Sequence, residues 1–299
     1  MAAACASTAH NENRPAVPDR HPYDIDQPVD QPVPFASGQI RTVNGIAFTP
    51  DGRTLYTANW VADLDSTGRR RLRIFEWRHR DGAWHGPEPA SFSSRYTDYQ
   101  PVMAPGGSRL YFQSTRPVSS GTGEVMQNLW FVDRDGDTWS SATAATALNT
   151  PAREGYAAPL MDGTLYFNSD RPGSRGLQDF YRSRALGGDA FAPPMPVAEL
   201  NTEHSENDLV VDPAGRFVIF NRYGEATREI DLYIAFATGQ GWGAARPLDG
   251  VNALGWELTP SISPNGRYFF FTRQSNIYQI DLAALLYTDD PVPGRRRRP

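Results

Sequence analysis

The sequence contains no lysine, and all 29 of its basic residues are arginine. That absence excludes Schiff-base chemistry, a phosphate-loop lysine and a Ser–Lys dyad in one step. Cysteine is nearly absent too: Cys5 stands alone, so no intrachain disulfide can form. The five histidines are His10, His21, His79, His85 and His204, and no two have the i, i+4 spacing of a His-Glu-x-x-His zinc site. No apolar run approaches the ~20 residues of a membrane-spanning helix. There is no Gly-x-Ser-x-Gly nucleophile elbow, and no Gly-x-Gly-x-x-Gly loop follows a strand. The net charge of −5 argues against a nucleic-acid partner, because phosphate binding needs a basic face. The one basic run, Arg295 to Arg298, lies at the C-terminal end and reads as a solvated tail.

Glycine (26), proline (25) and aromatic residues (12%) are abundant among the 299 positions. That mixture suits many short strands joined by tight turns better than long helices. Self-comparison gives the pattern an address. Five times a turn precedes an aromatic-rich apolar run: Pro50-Asp51-Gly52, Pro105-Gly106-Gly107, Met161-Asp162-Gly163, Pro213-Ala214-Gly215 and Pro264-Asn265-Gly266. The anchoring glycines at 52, 107, 163, 215 and 266 are 55, 56, 52 and 51 residues apart. Glycine reaches positive φ at no steric cost, which fits a hairpin turn at each.

Each unit then offers a third strand, such as Leu129-Trp130-Phe131-Val132 or Asp231-Leu232-Tyr233-Ile234. Four of the five add a second turn and a bulky aromatic, among them Trp84, Trp139 and Trp242, which read as blade packing. Four strands per unit of about 50 residues is the anatomy of a propeller blade. The fifth unit lacks its outer strand, whereas Tyr23 to Phe35, with Pro28, Pro32 and Pro34, has outer-strand character. Proline is tolerated on an edge strand, and pairing this segment with the last unit would close the ring. The expected fold is therefore all-β: a single five-bladed β-propeller with four antiparallel strands per blade, closed by the N-terminal segment. The expected division is a flexible tether over 1–21, the propeller over 22–288 and a disordered basic tail over 289–299.

The units resemble the WD40-like (PD40) propeller repeats of TolB-like bacterial envelope proteins. The third unit matches that pattern best, with Glu154, Pro159, Asp162-Gly163, Leu165-Tyr166-Phe167, Ser169-Asp170-Arg171-Pro172-Gly173 and Asp179-Phe180-Tyr181. In the first unit the acid is missing and Asn59 stands in the place of the arginine. The resemblance covers about 22–288. It implies a periplasmic or extracellular binding propeller, and the six blades of TolB are the alternative count. Cys5, within Ala2-Ala3-Ala4-Cys5-Ala6-Ser7, resembles a lipoprotein acylation site without the charged and apolar regions that precede one. It is the candidate lipid anchor and the one expected link to a membrane.

One constellation recurs with the repeat. Asp98, Glu154, Glu206 and Glu257 each lie nine residues before an anchoring glycine, and Arg116, Arg171, Arg222 and Arg273 follow it by seven to nine. These positions fall near the ends of the two innermost strands. In one reading each acid pairs with an arginine as a structural tie. In the other, the eight residues form a charged ring that binds a polar ligand or a divalent cation, for which carboxylates are suitable hard ligands. The gap left by the first unit would then mark the site. No other cofactor is implied. Asp133-Arg134-Asp135-Gly136-Asp137 has a calcium-loop look but occupies a repeat turn and lacks the acid at the twelfth position, where Ala144 sits. His204, two residues before Glu206, is a candidate general base at the channel mouth, with a plain loop histidine the competing reading.

The leading functional expectation is a monomeric, envelope-associated or secreted module that binds a protein, glycan or small ligand at one face. The competing ones are a hydrolase or lyase using Glu154, Glu206 and His204, and a purely architectural lipoprotein. Two insertions, Trp60 to Arg71 and Val118 to Gln127, would shape a face.

Overall fold

All five repeat glycines take positive φ: 68° at Gly52, 75° at Gly107, 83° at Gly163, 72° at Gly215 and 69° at Gly266. Each reverses the chain between the inner and second strands of a sheet. At Gly52 the space is also closed, since a Cβ would lie 2.6 Å from the Tyr23 ring. The computed structural model describes residues 20–64, 68–118, 127–224 and 229–286. Cys5 and Arg295 to Arg298 lie outside the described residues, as does most of the Val118–Gln127 insertion.

Five antiparallel sheets make a five-bladed propeller, as expected from the repeat, and the six-bladed alternative is set aside. Among the described residues helix is confined to a 3-10 turn at Phe35–Gly38 and one short helix at Leu282–Leu286. The inner strands are Asn44–Phe48, Asp98–Met103, Glu154–Pro159, Glu206–Val211 and Glu257–Ile262. Each blade continues outward through a second, a third and an outer strand, and the first three strands of every blade pair in sequence order. Outer strands are short in four blades (Thr143–Ala144, Met195–Pro196, Arg246–Pro247 and Val33–Pro34). Three of these four carry a proline, which denies the exposed edge a donor to a foreign strand.

The ring closes as the sequence pattern indicates. Val33 pairs with Gln279 and Pro34 with Tyr278, which supplies the outer strand that the fifth unit lacks. Val29 and Asp281 lock the same seam, backbone to backbone and backbone to carboxylate. Aromatic rings fill it: Phe35 lies 5.4 Å from Phe270 and 5.9 Å from Phe48, and Tyr23 lies 5.2 Å from Phe48. The described contacts begin at Arg20 and His21, whose ring stacks on Tyr23. The first insertion is largely a strand extension, with the second strand running to Leu64 and the third starting at Arg70.

Every inner strand carries a bulge near its start. The register slips between Asn44 and Ile46, Tyr99 and Val102, Gly155 and Ala158, Glu206 and Leu209, and Leu258 and Ser261. In four blades the bulge holds a positive φ: Gly45 at 80°, Gln100 at 53°, Tyr156 at 50° and Thr259 at 53°. For non-glycine residues that conformation is strained, by on the order of 1 kcal/mol each, and such strain concentrates where a side chain must be re-aimed.

Candidate functional site in the central channel

The recurring acids and arginines pair within their own blades. Arg116 meets Asp98 at 2.9 Å, Arg171 meets Glu154 at 3.2 Å, Arg222 meets Glu206 at 2.8 Å and Arg273 meets Glu257 at 2.6 Å. All four carboxylates are fully buried. Each arginine also donates to a carbonyl of the loop that leads in from the preceding outer strand: Phe92, Leu148, Leu200 and Val251. Its guanidinium lies over two rings, for example Phe167 and Tyr181 at 5.0 and 4.8 Å, or Phe220 and Tyr233 at 5.3 and 4.7 Å. The repeat therefore needs its aromatic residues for this stack as well as for the core. Burial nonetheless outweighs the ion pair at Glu154 and Glu257, where desolvation lifts the carboxyl above its ordinary range. In the first blade Asn59 fills the corresponding place. Its amide donates to the Arg41 carbonyl and accepts from the Val43 amide.

A second tie was not singled out in the sequence. Asn149, Asn201 and Asn252 each accept from and donate to one third-strand residue, Leu129, Phe180 and Leu232 respectively. The signal was available as the recurring Leu148-Asn149-Thr150, Leu200-Asn201-Thr202 and Val251-Asn252.

The cavity lies elsewhere in the channel. Its volume is about 350 Å³, and the second halves of all five inner strands wall it. Its mouth is rimmed by the first residue of every repeat turn: Pro50, Pro105, Met161, Pro213 and Pro264. No charged residue is among the described residues that line it, and none of the eight acid and arginine positions reaches it. His204 is also off this wall. It sits in the loop before the fourth inner strand, its backbone N–H donates to Thr202 Oγ1, and its Nδ1 is buried without a partner. The Asp133–Asp137 run is the end of one strand and the hairpin turn at Gly136 and Asp137 that leads into the next. Among the described residues no three His, Cys, Asp or Glu side chains are grouped to hold a metal.

The inner end of the cavity is closed by the residues two places after the repeat's acid position: Gly45, Gln100, Tyr156, Asp208 and Thr259. Asp208 is buried, and its carboxylate accepts the Thr259 backbone N–H from the next blade at 2.6 Å. The Tyr156 hydroxyl lies beside both Asp208 and Asn44, so this plug links blades one, three, four and five. Burial pushes the Asp208 carboxyl up to about 6, against the pull of its hydrogen bonds. It also raises the Tyr156 hydroxyl well above its ordinary value, with the neighbouring Asp208 charge adding to the effect. Several acceptors in this layer have no partner: Gln100 Oε1, Asn44 Oδ1 and Asn221 Oδ1, the last on a side chain whose amide lies beside Asp208. Of these residues only Gln100 also lines the cavity. Its free acceptor is buried at the floor of a mostly apolar chamber, whose other polar side chains are Thr259, Ser261 and Ser263.

No family model matches the chain, and no curated protein matches it. Solved structures do. An endo-arabinase from Bacteroides thetaiotaomicron is 11% identical with a TM-score of 0.52, over 84% of this chain and 96% of that one. A gluconolactonase from Xanthomonas campestris is 14% identical with a TM-score of 0.49, over 90% and 99%. A protein assigned as TolB from Agrobacterium tumefaciens is 15% identical with a TM-score of 0.48, over 79% and 70%. At these identities the likeness concerns the fold alone, and propellers host binding proteins and enzymes alike.

Proposed function

We propose that this chain is a non-catalytic binding propeller whose ligand is a small, mostly apolar molecule with one neutral hydrogen-bond donor. The observation that carries this reading is the unpartnered Gln100 Oε1 at the floor of the apolar cavity. An unsatisfied buried acceptor costs about 1–3 kcal/mol, and a ligand N–H or O–H would recover that cost. The volume fits the lower range of small-molecule pockets. Ser261 and Ser263, also on the wall, donate their hydroxyls to the Ile46 carbonyl and Asn265 Oδ1, and Ser263 Oγ accepts the Tyr268 amide, so of these three side chains Gln100 alone presents an acceptor without any hydrogen bond. Binding is favoured over chemistry because no ionisable residue is among the described residues that line the chamber. Glu154, Glu206 and their counterparts serve as ties between strands in this proposal, and His204 remains a loop residue. The envelope location and the Cys5 anchor stay part of it, and membrane fractionation of wild type against Cys5→Ser would test them.

The binding test uses 2-naphthol, a neutral apolar probe with one O–H, and calorimetry on the full chain. Wild type is expected to bind it saturably. Val102→Trp, on the cavity wall, should abolish binding. Gln100→Met keeps the length and removes the acceptor, and should weaken binding roughly five- to tenfold, the worth of one neutral hydrogen bond. Binding that ignores Val102→Trp, or no binding at all, overturns the reading.

A further inference from the structure

A groove of about 680 Å³ adjoins the channel mouth between the third and fourth blades. Met161 and Pro213 belong to the walls of both cavities, so the two are neighbours across one pair of side chains. Met161 is the one rim position where the repeat does not have proline. The residue is 74% exposed, although its backbone N–H is held by the Pro213 carbonyl. A flexible thioether thus stands where the other four units place a rigid ring.

The groove is basic where the chamber is neutral. Tyr166, Arg182 and Met195 lie directly opposite one another on adjacent strands of the third blade, so they share one face. Arg184 follows two residues on and lines the same groove. Neither guanidinium makes an ion pair, side-chain hydrogen bond or ring contact with any described residue. The single carboxylate on the wall, Asp162, accepts the Thr164 amide in its own turn. Most other arginines of the propeller are engaged, as the four ties and the Arg109 pairs with Asp133 and Asp189 show.

We infer that chamber and groove form one site for an elongated amphipathic anion. Its neutral donor end meets Gln100 Oε1, its apolar body fills the chamber and passes Met161, and its carboxylate lies between Arg182 and Arg184. This deepens, and rests on, the binding proposed for the chamber. Paired guanidiniums suit a carboxylate because each presents a planar fork of donors.

The test compares ω-hydroxyalkanoates of increasing chain length with their methyl esters, which keep the hydroxyl and the body and lose the charge. Calorimetry on the full chain should show a chain length beyond which the acid binds roughly tenfold or more tightly than its ester, the worth of a charge-assisted hydrogen bond. Arg182→Gln/Arg184→Gln should erase that preference and leave ester affinity unchanged. Arg184→Gln alone, at an exposed position, should halve the preference on a logarithmic scale. Val102→Trp should abolish binding of both series. Equal binding of acid and ester at every length overturns this inference while leaving the chamber reading intact. Acid binding that survives Val102→Trp overturns the single site, and absence of binding in both series defeats the chamber reading itself.

Discussion

Asp208 should make the propeller less stable as pH rises, and Asp208→Asn should remove the effect. The carboxyl has an ordinary value near 3.8 and is pushed up to about 6 by burial among Tyr156, Thr259 and Asn221. The folded state therefore holds the proton more tightly than the unfolded one. Below the unfolded value both states are protonated and nothing is lost. Between about pH 4 and pH 6 the unfolded chain ionises first, and each pH unit draws stability away from the folded form. Above the folded value the loss is complete, at about 3 kcal/mol for a shift of roughly two units. Asparagine keeps an oxygen to accept the Thr259 amide and cannot ionise. Every other titrating group, including the raised Glu154 and Glu257, is common to both proteins and cancels in the difference. Calorimetric melting of the two proteins at several pH values reads that difference. The Asp208→Asn variant should gain on wild type by about 5 °C between pH 4 and pH 7, at roughly 2 °C per kcal/mol for a chain of this size. A difference that stays flat with pH, or that grows in wild type's favour, refutes the argument that Asp208 is desolvated in the plug.

Two further outcomes follow from the fold. Phe35→Ala removes a buried ring that touches Phe48, Trp84 and Phe270 across the closing seam. It should cost about 3–5 kcal/mol in denaturant melts, and a loss below about 1 kcal/mol would mean that the seam does not hold the ring closed. Glu206→Gln leaves the Arg222 guanidinium against a neutral partner. It should destabilise by about 3 kcal/mol while 2-naphthol affinity stays within error. Loss of binding without loss of stability would return the acids to the ligand site.

Periodic residues were easy to find in the sequence because they do the same physical work five times. The turn glycines, the outer-strand prolines and the missing outer strand of the last unit were legible at once. Each answers a local demand: positive φ, a blunted edge, an unpaired sheet. The acids and arginines were legible as pairs for the same reason. Their recurrence also fits a charged ring, and in the proposed function it serves the blades instead. A group that each blade uses to hold its own strands has most of its lone pairs already engaged, as the partners of Asp98, Glu154 and Glu206 show.

The plug was hidden by the opposite property. Gly45, Gln100, Tyr156, Asp208 and Thr259 occupy one repeat position and share almost no chemistry, so no self-comparison scores them. Yet a ring of equivalent positions around a narrow axis cannot be filled five times by one bulky or charged side chain. Like charges would repel, and five tyrosines would not fit. Steric and electrostatic crowding forces such a layer to diversify, and a diversified layer can present a particular acceptor to a particular ligand. Met161 argues the same way at the rim, where one unit gives up its proline beside a groove with two arginines that no described residue engages. In a closed ring of repeats, positions that agree hold the blades together. Asymmetric recognition has to be built from positions on the axis that disagree, and in the site proposed for this chain those are the floor residue Gln100 and the rim residue Met161.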